Sequence, residues 1–185
     1  MLYPKMLIFV CLMGLTACTG VSYEEPTSGP LAQVRFSTDF DGLVNIRQYE
    51  NNACEGEQTI FKIRNEMMLN SPVRDLNMPL SSLRQEASKE VHVPAGKTMH
   101  LLFDAYKAYD DGYMYRCGNF ISPVFEQGKM YELHFSMEKV SCSIRWSEIK
   151  QLDSGAWNKS EIDFIDSKIM PNKNCLSKFK ESRLF

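Results

Sequence analysis

Three histidines, six cysteines and a run of tyrosines are the residues of this 185-residue chain with the most chemistry to offer. His92, His100 and His134 each fall in a segment of period-two alternation, opposite its apolar residues. No His-x-His or His-Glu-x-x-His spacing links them, so they read as solvent-facing strand residues rather than a metal cluster or a general base. A serine nucleophile would want a Gly-x-Ser-x-Gly elbow, and none occurs. Asp and Glu are numerous, but no pair stands out for glycosidase chemistry. Asp39-x-Asp-Gly42 has the opening of a calcium-binding loop, with Glu50 at its twelfth position. The intervening Leu43-Val44-Asn45-Ile46 reads as strand, which makes the segment a hairpin turn instead. No catalytic residue, metal or cofactor is expected, and the chain reads as non-enzymatic.

Two groups of residues remain. Tyr106, Tyr109, Tyr113 and Tyr115 cluster with Asp104, Asp110 and Asp111. Exposed tyrosines pair a large apolar ring with a polar tip and make good contact surfaces, so this segment is the candidate recognition surface. Cys54, Cys117, Cys142 and Cys175 form an even set without the close Cys-x-x-Cys spacing of a zinc knuckle. They read as two disulfides of an exported protein. Of the three connectivities, a hairpin pivoting near Gly128 favours Cys117–Cys142, which leaves Cys54–Cys175. A cysteine nucleophile is then excluded by oxidation.

The first residues say where such a chain would be sent. Lys5 supplies a positive start, and Met6 to Leu15 is an apolar run of about ten residues, broken only by Gly14. That is too short to span a bilayer, which takes roughly 20 apolar residues, and it has the length of a signal-peptide core. Small residues and a cysteine follow, as Leu15-Thr16-Ala17-Cys18. This stretch resembles the lipobox of bacterial lipoproteins. The resemblance implies cleavage before Cys18, acylation of Cys18 and attachment to a membrane through its lipid. Several acyl chains anchor durably where one does so only marginally. Thr19 in place of Asp leans toward the outer membrane, on its periplasmic face.

Without residues 1–17 the chain is 168 residues long, enough for one domain with a real core. Losing Lys5 from the 21 basic side chains leaves 20 against 23 acidic ones, a net charge of about −3. That gives no support for nucleic-acid binding, which normally needs a basic excess. Residues 18–30 are polar, with two Pro and two Gly, and read as a flexible tether.

From Leu31 the period is two. Strands are expected at 31–37, 43–49, 59–64, 91–93, 99–105, 120–125, 131–137 and 141–149, separated by Gly- and Asp-rich turns. Residues 65–90 read as a covering loop with a short helical turn near 81–88. Pro123 suggests an edge strand or a bulge. Ser160-Glu161-Ile162-Asp163 reads as the start of a helix in a C-terminal extension over 151–185, tied down by a disulfide. The whole is an all-β antiparallel sandwich over 31–150, immunoglobulin-like or transthyretin-like, with an eight-stranded barrel as the alternative.

The sequence of features over 31–149 is similar to a diffuse group of small proteobacterial lipoproteins. It comprises Ala32-x-Val-Arg35, Cys54, Val93-Pro-Ala-Gly-Lys97, Cys117, Phe125-x-x-Gly-Lys129-x-Tyr-Glu132 and Cys142. The resemblance implies a sandwich and a place in the envelope more than an activity. Its expectation is a membrane-anchored module that binds an envelope protein or polymer. A periplasmic hydrolase acting on cell-wall material is the alternative.

Overall fold

The computed structural model describes residues 23–64, 76–80, 87–108, 114–138 and 141–163. Among them nine strands form two sheets. They are β1 (Leu31–Thr38), β2 (Leu43–Tyr49), β3 (Gln58–Arg64), β4 (Ala87–Pro94), β5 (His100–Ala108), β6 (Met114–Ile121), β7 (Met130–Glu138), β8 (Ser141–Gln151) and β9 (Trp157–Glu161). One sheet runs β4-β1-β7-β8-β9 and the other β3-β2-β5-β6. All pairings are antiparallel except β1 with β7, which run parallel. The fold is a β-sandwich. No ladder joins the two sheets among the described residues, so the barrel alternative falls away.

Alternation explains why these segments are strands. Val34 and Phe36, Val44 and Ile46, Leu101, Phe103 and Ala105, Leu133 and Phe135, and Ile144 and Trp146 all point between the sheets. They close one core in which Phe103 stacks on Phe135 and Phe125 meets Trp146 edge to face. In β3 the alternation slips. Ile60 is left over where the register against β2 shifts after Ile46, so Ile60 and Phe61 are both buried.

Two turns expected to close hairpins instead carry the chain from one sheet to the other. The Asp39–Gly42 turn takes β1 into β2, and the turn at Gln127-Gly128 takes the chain from β6 to β7. Phe40 inside the first is buried, and added bulk at Gly42 would collide with its ring, so an apolar anchor fixes the crossover. Gly128 has φ +74°, which a side chain would strain. Its N–H bonds to the Leu31 carbonyl and so aligns β7 beside β1.

Several boundaries differ from expectation. Strand β6 begins at Met114, ahead of the expected Phe120, and ends at Ile121 ahead of Pro123, as an edge strand of its sheet. Ala87 and Ser88 already belong to β4. Ser160 and Glu161 close strand β9 rather than open a helix, because they complete the ladder on β8. Residues 164–185, with the rest of the expected helix and Cys175, lie outside the described residues, as does the expected turn at 81–86. The tether is not free along its length. Tyr23 packs its ring on Phe61 at 5.3 Å and donates to the His92 carbonyl, and Glu25 meets His92 at 3.0 Å. Burial, with the nearby Glu25 charge, pushes the Tyr23 hydroxyl up to about 12.

Cys117 and Cys142 form a disulfide, with Cα atoms 6.0 Å apart. The pairing matches expectation, but its geometry does not. Cys117 is on β6 and Cys142 on β8, in different sheets, so the bond bolts the two layers together. Cys54 is also disulfide-bonded, to a partner outside the described residues.

Candidate functional site

The outer face of the five-stranded sheet carries a row of polar residues. Register places Glu90, Arg35, Glu132, Ser147 and Glu161 side by side across β4, β1, β7, β8 and β9. In the next row stand Ser88, Ser37, His134 and Arg145. Each is a position that alternation assigns to solvent.

Half of that face is not in solvent. Arg35 is 0% exposed. Its Nε and Nη2 both donate to Glu90 Oε1, at 2.8 and 2.7 Å, and Nη1 donates to Glu132 Oε2 at 3.2 Å. The rest of the guanidinium donates to the carbonyls of Met78, Pro79 and Leu80 at 2.7–3.1 Å. Glu90 Oε2 in turn accepts the N–H groups of Leu76 and Met78. A buried ion pair thus pins segment 76–80 across β4 and β1. Asn77 and Leu80 both have positive φ, 55° and 56°, an uncommon conformation that these bonds hold in place.

The other half is open. Glu132, His134, Arg145, Ser147, Lys159 and Glu161 line a cleft of about 250 Å3. Glu132 forms its floor, accepting from Ser37 Oγ at 3.0 Å and from Lys159 Nζ at 2.7 Å. Burial works against ionisation of Glu132. The Lys159 ammonium, the Ser37 hydroxyl and the Arg35 guanidinium outweigh it and hold the carboxyl below the usual carboxylate range.

That shift has a sign. A carboxylate with a folded pKa below its unfolded one adds stability in full above the unfolded value, and loses it as pH falls through the folded value. The unfolding midpoint should therefore drop as pH is lowered from about 5 into the acid range. Lys159→Ala should lower the neutral plateau and flatten part of that drop. Denaturant titrations at a series of pH values would check this; parallel profiles for the two proteins would remove Glu132 from the account.

Ser37, His134 and Asp39 lie close enough to suggest a hydrolase triad. Ser37 Oγ is 2.9 Å from His134 Nδ1, and His134 Nε2 is 3.6 Å from Asp39 Oδ2. The wiring does not suit nucleophilic attack. Ser37 is 1% exposed and its hydroxyl proton is committed to Glu132. Nδ1 is then the donor to Ser37, which leaves Nε2 with the lone pair. A base that donates to its serine cannot remove that serine's proton.

His134 itself departs from expectation. It is 5% exposed and not solvent-facing, because the neighbouring strands and the Asp39 turn enclose it. Its Nε2 is buried with no hydrogen-bond partner. His92 is half-buried against Glu25, and His100 bonds Ser122 at 2.9 Å and stacks on Phe120. Burial holds His100 below the usual imidazole range. Among the described residues, no group of three or more His, Cys, Asp or Glu is placed to hold a metal ion.

The tyrosine segment is only partly described. Tyr106 pairs with Arg116 and Tyr115 with Lys107, so the two rings leave opposite faces of their sheet. Tyr109 and Tyr113 lie outside the described residues. On the outer face beside Tyr106, Asp104 is 1% exposed and held by Arg47 and by two bonds from Arg116. That cluster fastens β2, β5 and β6 and leaves no unmet charge on Asp104. Cys18 also lies outside the described residues.

Comparison with known proteins gives no match. No family model fits the chain, and no curated protein or solved structure is significantly similar to it. The site therefore stands on its own geometry. Alternation gave no reason to single out Arg35, Glu90, Arg145, Ser147, Lys159 or Glu161. The one signal present was a charged residue among the outward positions of β1, β4, β7 and β9 (Arg35, Glu90, Glu132, Lys159 and Glu161), which a solvated face would show as well.

Proposed function

We propose that this chain is a lipid-anchored, non-enzymatic binding module of a bacterial cell envelope, with the polar cleft on its five-stranded sheet as the recognition site. The observation that carries the binding reading is the cleft's floor. Glu132 is already bonded to Arg35, Lys159 and Ser37, so a ligand meets a floor fixed beforehand. The reversed wiring of Ser37 and His134 supports binding over hydrolysis. The disulfide between sheets supports an oxidising compartment, and Leu15-Thr16-Ala17-Cys18 supports the anchor.

Anchoring is tested by expression in a Gram-negative host followed by detergent phase partition and intact-mass measurement. The wild-type chain should enter the detergent phase, cut before Cys18 and heavier by its acyl chains. Cys18→Ala should stay in the aqueous phase. A wild-type chain that remains aqueous and unacylated overturns the anchor.

A further inference from the structure

We infer that the cleft takes a small zwitterion, the ammonium and carboxylate of a short peptide or free amino acid. The inference rests on the reading of this cleft as the recognition site. Lys159 and Glu132 are bonded to each other at 2.7 Å and cancel. Among the described residues, the side chains of Arg145 and Glu161 have no ion-pair or hydrogen-bond partner, although both line the cleft. What the cleft offers a ligand is therefore one cation and one anion. A purely anionic ligand would leave Glu161 unmatched and opposed, and a purely cationic one would do the same to Arg145.

The two charges are placed as a pair of poles. Arg145 is two residues before Ser147 on β8, and Ser147 faces Glu161 on β9. Such diagonal neighbours on one face stand about 7–8 Å apart between backbones. The guanidinium is a planar fork suited to a carboxylate, and Glu161 accepts an ammonium. Between and beneath them are two further polar atoms. Ser147 brings a hydroxyl that donates or accepts. His134 brings a buried Nε2 without a hydrogen-bond partner, which accepts an N–H when the ring donates through Nδ1 to Ser37. A buried acceptor left unmet costs free energy, and a ligand N–H would remove that cost.

Size and lining agree with this. About 250 Å3 is small for a site, below the usual range for drug-sized ligands. Apart from the imidazole, no aromatic ring lines the cleft to serve as a stacking platform. The backbone spacing of the poles suits a dipeptide, whose charged groups stand a peptide unit apart, better than a single amino acid, which carries both on one α-carbon.

The test is calorimetric titration of the full chain, purified in detergent, with glycine, dialanine and trialanine. N-acetyl-dialanine and dialanine amide serve as probes lacking one charge each. Dialanine should bind, and each blocked form should bind about tenfold more weakly or worse. Arg145→Ala should lose the preference for a free carboxylate, and Glu161→Ala the preference for a free ammonium. Both residues are exposed, so circular dichroism and the unfolding midpoint should stay unchanged; Ser143→Ala, on the same strand outside the cleft, is the control. If glycine binds as well as dialanine, the source is a free amino acid. Equal binding of the blocked and free forms would keep the cleft as a site and overturn the zwitterion. No binding of any probe would overturn the zwitterion and the cleft together, while phase partition scores the lipid anchor independently.

Discussion

Arg35→Ala should cost about 3–5 kcal/mol of folding stability, the usual penalty for breaking a buried ion pair from one side. The guanidinium is fully buried and makes six hydrogen bonds, three to carboxylates and three to backbone carbonyls. Removing it leaves Glu90 buried against β1 with only the Leu76 and Met78 N–H groups to face. It also leaves three carbonyls of segment 76–80 without a donor. Glu132 suffers less, since Lys159 and Ser37 remain. Urea unfolding of wild type and variant would read the difference. Arg35→Met should be nearly as damaging, although it fills the space, because the cost comes from the stranded charge. Adding Glu90→Gln to Arg35→Met should then recover part of the loss. A loss of under about 1 kcal/mol for Arg35→Ala would show that the pair does not fasten the strap.

The second large effect belongs to the inter-sheet disulfide. Cys117 and Cys142 are separated by 25 residues, and a cross-link closing a loop of that length restrains the unfolded chain by about 3 kcal/mol. The double change to alanine should lower the unfolding free energy by that order, read as a lower urea midpoint. The loss should fall mainly on docking between layers, because each sheet keeps its own ladders. Native-state hydrogen exchange would then show earlier opening of β6, an edge strand held by β5 alone, than of β1 or β7 at the centre of the other sheet. Uniform loss of protection would place the effect in the unfolded chain. An unchanged midpoint would mean that the interface between sheets carries docking without the bond.

Period-two alternation made the sandwich legible, because each strand has one face against a single shared core. Phe36, Ile46, Phe103, Leu133 and Phe135 could be placed inward from their spacing alone, and all are buried. Which strands pair is a different matter. The turns at Asp39–Gly42 and Gln127-Gly128 have hairpin chemistry, yet both are crossovers, and β7 pairs in parallel with β1 nearly a hundred residues away. Local turn signals say that the chain reverses. They do not say whether it reverses within a layer or between layers, since that choice rests on long-range packing such as the burial of Phe40. For the same reason Cys117 and Cys142 could be paired from sequence while the reason for their proximity could not.

The candidate site was the least legible part. Arg35, Glu90, Glu132 and His134 occupy polar positions of alternating strands, and a polar position on a sandwich ordinarily meets water. Here segment 76–80 and the Asp39 turn cover it, and ion pairing replaces hydration. The sequence by itself determined the β-sandwich and its inward faces, because these depend on periodicity and on which residues avoid water; it favoured the Cys117–Cys142 pairing through a hairpin that does not form. Only the tertiary structure decided the sheet order, the burial of Arg35 and the meeting of Arg145 with Glu161 at one cleft. Those follow from register among strands far apart in the chain, and no local preference encodes them.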